Sequence, residues 1–154
     1  MHPTSSVQSP IRVAIAGATG YAGQELVRLL ARHPGVCLTA AMSSGSGESR
    51  RIPTLARIWD ADVQPLSLDT LASASDVVFL GLPESSAADV GATLVGRGLR
   101  VIDLSGAFRL RDDALRRRWY PETTSLPAGT LYALPERSRL ALPAHAIVAE
   151  AEGA

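Results

Sequence analysis

A nearly unbroken apolar run, Ile11-Arg12-Val13-Ala14-Ile15-Ala16, leads directly into Gly17-Ala18-Thr19-Gly20-Tyr21-Ala22-Gly23. A short β-branched run of this kind suits a strand buried on both faces of a parallel sheet. Beyond the glycines, Leu26, Leu29 and Leu30 are expected on one helical face, away from Gln24, Glu25, Arg28 and Arg32, and His33-Pro34-Gly35 stops the helix. Val36 to Met42 then supplies a second strand, which completes a βαβ unit. In doubly wound folds the pyrophosphate of a dinucleotide docks on such a turn. Gly17 permits the tight turn, Gly20 lets backbone approach phosphate, and Gly23 lets the helix close on the sheet. The N–H groups and dipole at the helix start supply the attraction. The plainer alternative is a glycine turn that only connects strand to helix.

The alternation continues. Asp76 to Leu82 reads as a buried strand, Ala87 to Gly96 as a small-residue helix, and Arg100 to Leu104 as another strand. Between the units, Pro53 to Asp60 and Leu68 to Ala74 are candidate short helices and Val63 to Leu66 a short strand. Ser43 to Arg51, dense in Ser and Gly, is a loop. Asp112 to Trp119 opens on two acids and closes on three arginines, the order that a helix dipole favours. Pro121, Pro127, Pro135 and Pro143 divide the remainder into loops, with Ala146 to Ala149 as a last strand. The fold class is therefore α/β, a Rossmann-like, doubly wound, mostly parallel sheet. Residues 1–10 are expected to form a flexible tail and 11–149 the domain.

Composition narrows the chemistry. The 154 residues carry zero formal net charge, which argues against a nucleic-acid or membrane footprint, and no apolar run is long enough to span a bilayer. A lone cysteine, Cys37, and three histidines give neither a disulfide nor a metal-ligand spacing. Cys37 begins the second strand, where a small buried thiol is its expected role. The expected compartment is the cytoplasm, where thiols stay reduced.

The second strand also bears on cofactor choice. An NAD site commonly has an acid there to bind the ribose diol, whereas this chain reads Met42-Ser43-Ser44. Nothing there repels a 2′-phosphate, both serines can donate to one, and Arg50 and Arg51 lie within loop reach. NADP is favoured over NAD; the alternative is that the serines fill a loop and the arginines face solvent.

Four segments in order, VAIAGATGYAGQE from Val13, DVVFLGLP from Asp76, VIDLSGAFRL from Val101 and YALPE from Tyr132, resemble the N-acetyl-γ-glutamyl-phosphate reductases of arginine biosynthesis. The carrier-protein aminoadipyl-phosphate reductases are closely similar and the aspartate-semialdehyde dehydrogenases more distant. The resemblance implies an NADP-binding domain, a separate substrate and oligomerisation domain, and NADPH-dependent reduction of an acyl phosphate to an aldehyde. By position it implies that the 17–23 turn holds the pyrophosphate, that Ser43 and Ser44 meet the adenosine ribose, and that Leu82 and Pro83 lie beside the cofactor. It also implies that Ser105 contacts the cofactor near the nicotinamide and that Arg109 meets substrate phosphate. For Arg109 the alternative is an ion pair with Asp112 or Asp113, and Arg116, Arg117 and Arg118 suit a helix end and solvated face rather than a substrate clamp.

Departures from the family pattern matter as well. Ala107 stands where the family usually has Asp, and Ser44 where many members have Arg. After Ile147-Val148-Ala149 the family continues into a Gly-Cys turn whose cysteine attacks the acyl phosphate, whereas residues 150–154 here are Glu-Ala-Glu-Gly-Ala. The reaction needs a thiolate and a base. The expectation is thus a cofactor domain without its substrate domain, with no catalytic residue of its own and inactive by itself. A non-catalytic nucleotide-binding or interaction module is the alternative.

Overall fold

The computed structural model describes residues 9–45, 47–123, 125–133 and 147–150. Among the described residues seven parallel strands form one sheet in the order β3-β2-β1-β4-β5-β7-β6. They are β1 (Ile11–Ala16), β2 (Val36–Ser43), β3 (Gln64–Pro65), β4 (Val77–Leu80), β5 (Arg100–Asp103), β6 (Leu131–Ala133) and β7 (Ile147–Glu150), with helices α1 (Tyr21–Leu30), α2 (Leu68–Ala74), α3 (Glu84–Gly96) and α4 (Asp113–Trp119).

Strand periodicity sorts the core into two layers. Ala14, Ala16, Ala40, Met42, Val78, Leu80 and Val101 point to one face and pack with Leu71 of α2 and Ala87, Val90 and Leu94 of α3. Ile15, Ala41 and Phe79 point to the other face, under Val27, Leu26 and Leu30 of α1. The sheet is thus wound on both faces, as the near-continuous apolar strands require. One irregularity lies between β1 and β2, where Val13 pairs with Leu38 but Ala14 with Ala40. The Thr39 hydroxyl donates to the Val13 carbonyl at 3.0 Å there.

Several sequence expectations need correction. Helix α1 starts at Tyr21, so Tyr21 to Gly23 form its first turn, and its inward face is Gly23, Leu26, Val27 and Leu30. Leu29 is half exposed. Residues 53–58 form consecutive turns rather than a helix, closed by Leu55 N–H to Ile52 and Ile58 N–H to Leu55. Cys37 is exposed, not buried, because it lies at the outer start of β2 opposite Arg12. Helix α3 begins three residues before the expected Ala87, directly after Pro83. Strand β6 was not legible, since Leu131–Ala133 is only three residues long and follows closely on the turn at Ala128 and Gly129. The expected tail lies outside the described residues except for Ser9 and Pro10, as do Ala146 and the last three residues of YALPE.

Candidate dinucleotide site

Ladder pairing puts Ala16 beside both Met42 and Leu80, and Leu80 beside Asp103. The carboxyl ends of β2, β1, β4 and β5 therefore stand level, and four loops leave from one edge. They carry Ser43 and Ser44, the 17–23 turn, Leu82 and Pro83, and Ser105 to Arg109. The chain leaves β1 towards β2 on one side, while β4 and β5 lie on the other. This reversal makes the crevice between β1 and β4 the place where open α/β sheets bind ligands.

The glycines differ in what surrounds them. Gly17 has φ +95°, and a Cβ there would stand 2.6 Å from the Gly81 carbonyl carbon. A Cβ on Gly23 would stand 2.7 Å from Ala18 Cα. Both positions are closed by backbone. A Cβ on Gly20 would meet only the Gly17 oxygen, at 3.6 Å, so the space beside Gly20 is open. The N–H groups of Gly17 and Ala18 both reach the Met42 carbonyl at 2.8 Å, and Gly20 N–H reaches Gly17 O at 3.2 Å. They tie the turn to β2. The first intrahelical bond of α1 is Gln24 N–H to Gly20 O, so the N–H groups of Tyr21, Ala22 and Gly23 precede the helical ladder. Gly20 caps α1 without a side-chain bond. The Ala18 side chain is buried in the core below the turn, Thr19 is half-buried, and Tyr21 is fully exposed.

On the adenosine side, Ser43 is half-buried, its carbonyl accepting from Leu66 N–H at 3.0 Å, and Ser44 is exposed. Arg51 is committed to two acids, Asp60 at 2.7 Å and Asp62 at 3.5 Å. Arg50 is exposed, its backbone bridged to Val63. Across the crevice Leu82 is buried in the core, so it can offer a ligand only backbone, while Pro83 is exposed.

The β5–α4 loop is built on a buried carboxylate. Asp103 is fully buried and accepts from both Ser105 N–H (3.1 Å) and the Ser105 hydroxyl (2.9 Å). Burial pushes its pKa up, opposed by these two hydrogen bonds and by the Arg109 charge, with Glu84 adding to the rise. Arg109 folds back along the loop, its Nε donating to Ser105 O at 3.0 Å. Of its suggested partners, Asp112 caps α4 through Leu115 N–H and Asp113 meets Arg116. Arg116 is not solvated: it is buried and donates to the carbonyls of Leu110, Arg111 and Thr123. Arg117 and Arg118 are exposed, as expected. A cleft of about 310 Å³ between Glu84, Ser85 and the Trp119 to Thr123 segment adjoins this loop, because the Tyr120 ring lies against Gly106.

Sequence reasoning missed Asp103 and Tyr120. For Asp103 a signal was present: an Asp ending a strand with Ser two residues on is the pattern of an Asx-turn. Cys37, at the far edge of the sheet, is remote from all four loops. Among the described residues no group of His, Cys, Asp and Glu is placed to hold a metal, and no helix is long and apolar enough to cross a membrane.

Fold, switch-point crevice and glycine turn together define a Rossmann-type dinucleotide-binding domain. The semialdehyde dehydrogenase NAD-binding domain family matches residues 12–144, and the chain belongs to that family. It is 37% identical over 132 residues to an N-acetyl-γ-glutamyl-phosphate reductase of Brevibacillus brevis, covering 82% of this chain and 38% of the relative. With the same-named protein of Desulforudis audaxviator it is 41% identical over 145 residues, covering 90% and 42%. The chain thus spans about two fifths of the length of these curated relatives. Among solved structures, aspartate semialdehyde dehydrogenase with NADP from Candida albicans superposes with TM-score 0.57 at 26% identity, over 68% of this chain and 32% of that one. The Vibrio cholerae aspartate semialdehyde dehydrogenase II shares the fold, with TM-score 0.61 at 18% identity over 93% and 42%.

Proposed function

We propose that this chain is the NADP-binding part of a reductase of the N-acetyl-γ-glutamyl-phosphate reductase kind, an oxidoreductase that converts an acyl phosphate to a semialdehyde in arginine biosynthesis. The observation that carries the reading is the open space at Gly20, between two glycines sealed by backbone, at the crevice where the connections from β1 and β4 part to opposite sides. A pyrophosphate there meets the N–H groups that open α1 and the positive end of its dipole. Ser43 and Ser44 face the adenosine ribose, and the absence of an acid after Met42 leaves room for a 2′-phosphate. With Arg51 held by Asp60 and Asp62, Arg50 is the cation to meet that phosphate. The nicotinamide half then lies over Pro83 and Ser105.

Bound NADPH supplies the hydride. This chain's residues bind and orient it, and Arg109 meets the substrate's phosphate, which its planar fork suits. Cys37 takes no part in acyl transfer, being at the opposite sheet edge. On the same reading the enzyme is cytoplasmic and homo-oligomeric. Calorimetric titration tests the proposal: NADPH should bind more tightly than NADH, and Gly20→Asp should abolish both by placing bulk and negative charge against the pyrophosphate. Equal or tighter binding of NADH overturns the ribose argument, and binding of neither overturns the dinucleotide site.

A further inference from the structure

Both carboxylate oxygens of Asp103 serve a single residue. Oδ1 accepts the Ser105 N–H at 3.1 Å and Oδ2 accepts the Ser105 hydroxyl proton at 2.9 Å. The Ser105 oxygen in turn accepts the Ala107 N–H at 3.1 Å. A serine hydroxyl has one proton and two lone pairs, and it ordinarily rotates to suit its partner. Here the proton is committed to Asp103 and one lone pair to Ala107. What remains is a single acceptor position, on a loop that leaves the carboxyl end of β5. Arg109 fixes the same loop from the other side, through the carbonyls of Ser105 at 3.0 Å and Leu104 at 3.4 Å.

A dinucleotide laid across the switch point with its pyrophosphate on α1 and its adenosine over β2 carries its nicotinamide towards β4 and β5. The carboxamide of that ring has an amino group, which donates, and a carbonyl, which accepts. We propose that Asp103 is a positioning residue: it locks Ser105 as an acceptor, so that the loop recognises the amino group of the nicotinamide carboxamide. The inference rests on the dinucleotide reading above and adds to it the group recognised and the buried carboxylate responsible.

The test compares three probes on the full chain by calorimetry: NADP, its 3-acetylpyridine analogue, in which a methyl replaces the carboxamide amino group, and adenosine 2′,5′-bisphosphate, which carries only the adenosine end. Wild type should prefer NADP over the analogue by roughly five-fold, the scale of one hydrogen bond. Asp103→Asn, which puts an amide donor where one acceptor oxygen stood, should bring that ratio close to one and leave the bisphosphate affinity unchanged. Ser105→Ala should do the same without altering the buried carboxylate. A ratio unchanged in both variants overturns the proposal. So does a parallel loss of bisphosphate binding, which marks a merely structural role. Wild type that binds neither NADP nor the bisphosphate overturns the dinucleotide reading and this inference with it, whereas wild type that binds both but does not distinguish the analogue overturns this inference alone.

Discussion

Gly17 and Gly81 touch backbone to backbone, so closely that a Cβ on Gly17 would stand 2.6 Å from the Gly81 carbonyl carbon. The end of β1 and the end of β4 are thereby pressed together where the sheet's connections diverge, and Gly17 also needs its positive φ. Gly17→Ala should lower unfolding free energy by about 2 kcal/mol or more, through left-handed strain and overpacking. Gly23→Ala should do likewise, since backbone blocks it too. Gly20→Ala differs: Gly20 has an extended conformation any residue adopts, and its change should cost only about 1 kcal/mol of capping. Urea unfolding of the three variants gives the order directly, and a Gly20→Ala loss as large as the other two contradicts it.

This division of labour was only half legible from the sequence. The strand-glycine-helix pattern placed β1 and the turn, because each follows from local periodicity and glycine spacing, whereas the crevice depends on strand order across the sheet. The commitment of the Gly17 and Ala18 N–H groups to Met42 was not legible, since it depends on how β2 lies beside β1. Cys37 failed for a related reason: an apolar strand is buried only where neighbours cover it, and its first residues overhang the helix layer. Arg116 failed because charge pattern along a short helix does not reveal a loop folding over it.

Arg116 gives a second prediction. Its guanidinium is buried while satisfying three loop carbonyls and meeting Asp113, so it ties α4 to both flanking segments. Arg116→Met keeps the apolar stem but strands those acceptors, and should destabilise by about 3 kcal/mol. Exposed Arg117, 3.9 Å from the same Asp113, should change stability by less than about 0.5 kcal/mol when replaced by Ala. Equal losses in chemical denaturation count against the role assigned to Arg116.

Exposure of Cys37 is checked by thiol chemistry. One equivalent of thiol should react with a disulfide reagent in the native protein, at a rate close to that in denaturant. Protection by several orders of magnitude returns Cys37 to the interior. Cys37→Ser should leave NADPH affinity unchanged, because β2 runs its full length between this residue and the cofactor edge.

Two aspartates give the pH dependence opposite signs in separate windows. Asp76, at the amino end of β4, is lowered from the ordinary aspartate value, mainly by its side-chain hydrogen bond with Arg12 and then by the Arg12 N–H. Its stabilising contribution is complete above that ordinary value and is lost as pH falls towards the folded value. Asp103 is raised, mainly by burial. The folded chain holds this proton more tightly than the unfolded chain does, so stability falls as pH climbs from the ordinary value through the folded one and then levels. Urea midpoints measured from about pH 2 to pH 7 should therefore show an acid limb that shrinks in Asp76→Asn, its remainder including Glu25, which its side-chain hydrogen bond with Arg28 holds below the ordinary value, and a decline above it that disappears in Asp103→Asn. The second variant also loses part of the Ser105 bonding, so its curve should be displaced as well as flattened. A decline that persists unchanged in Asp103→Asn assigns it to another group, and an acid limb that shrinks in that variant gives Asp103 a lowered rather than a raised pKa.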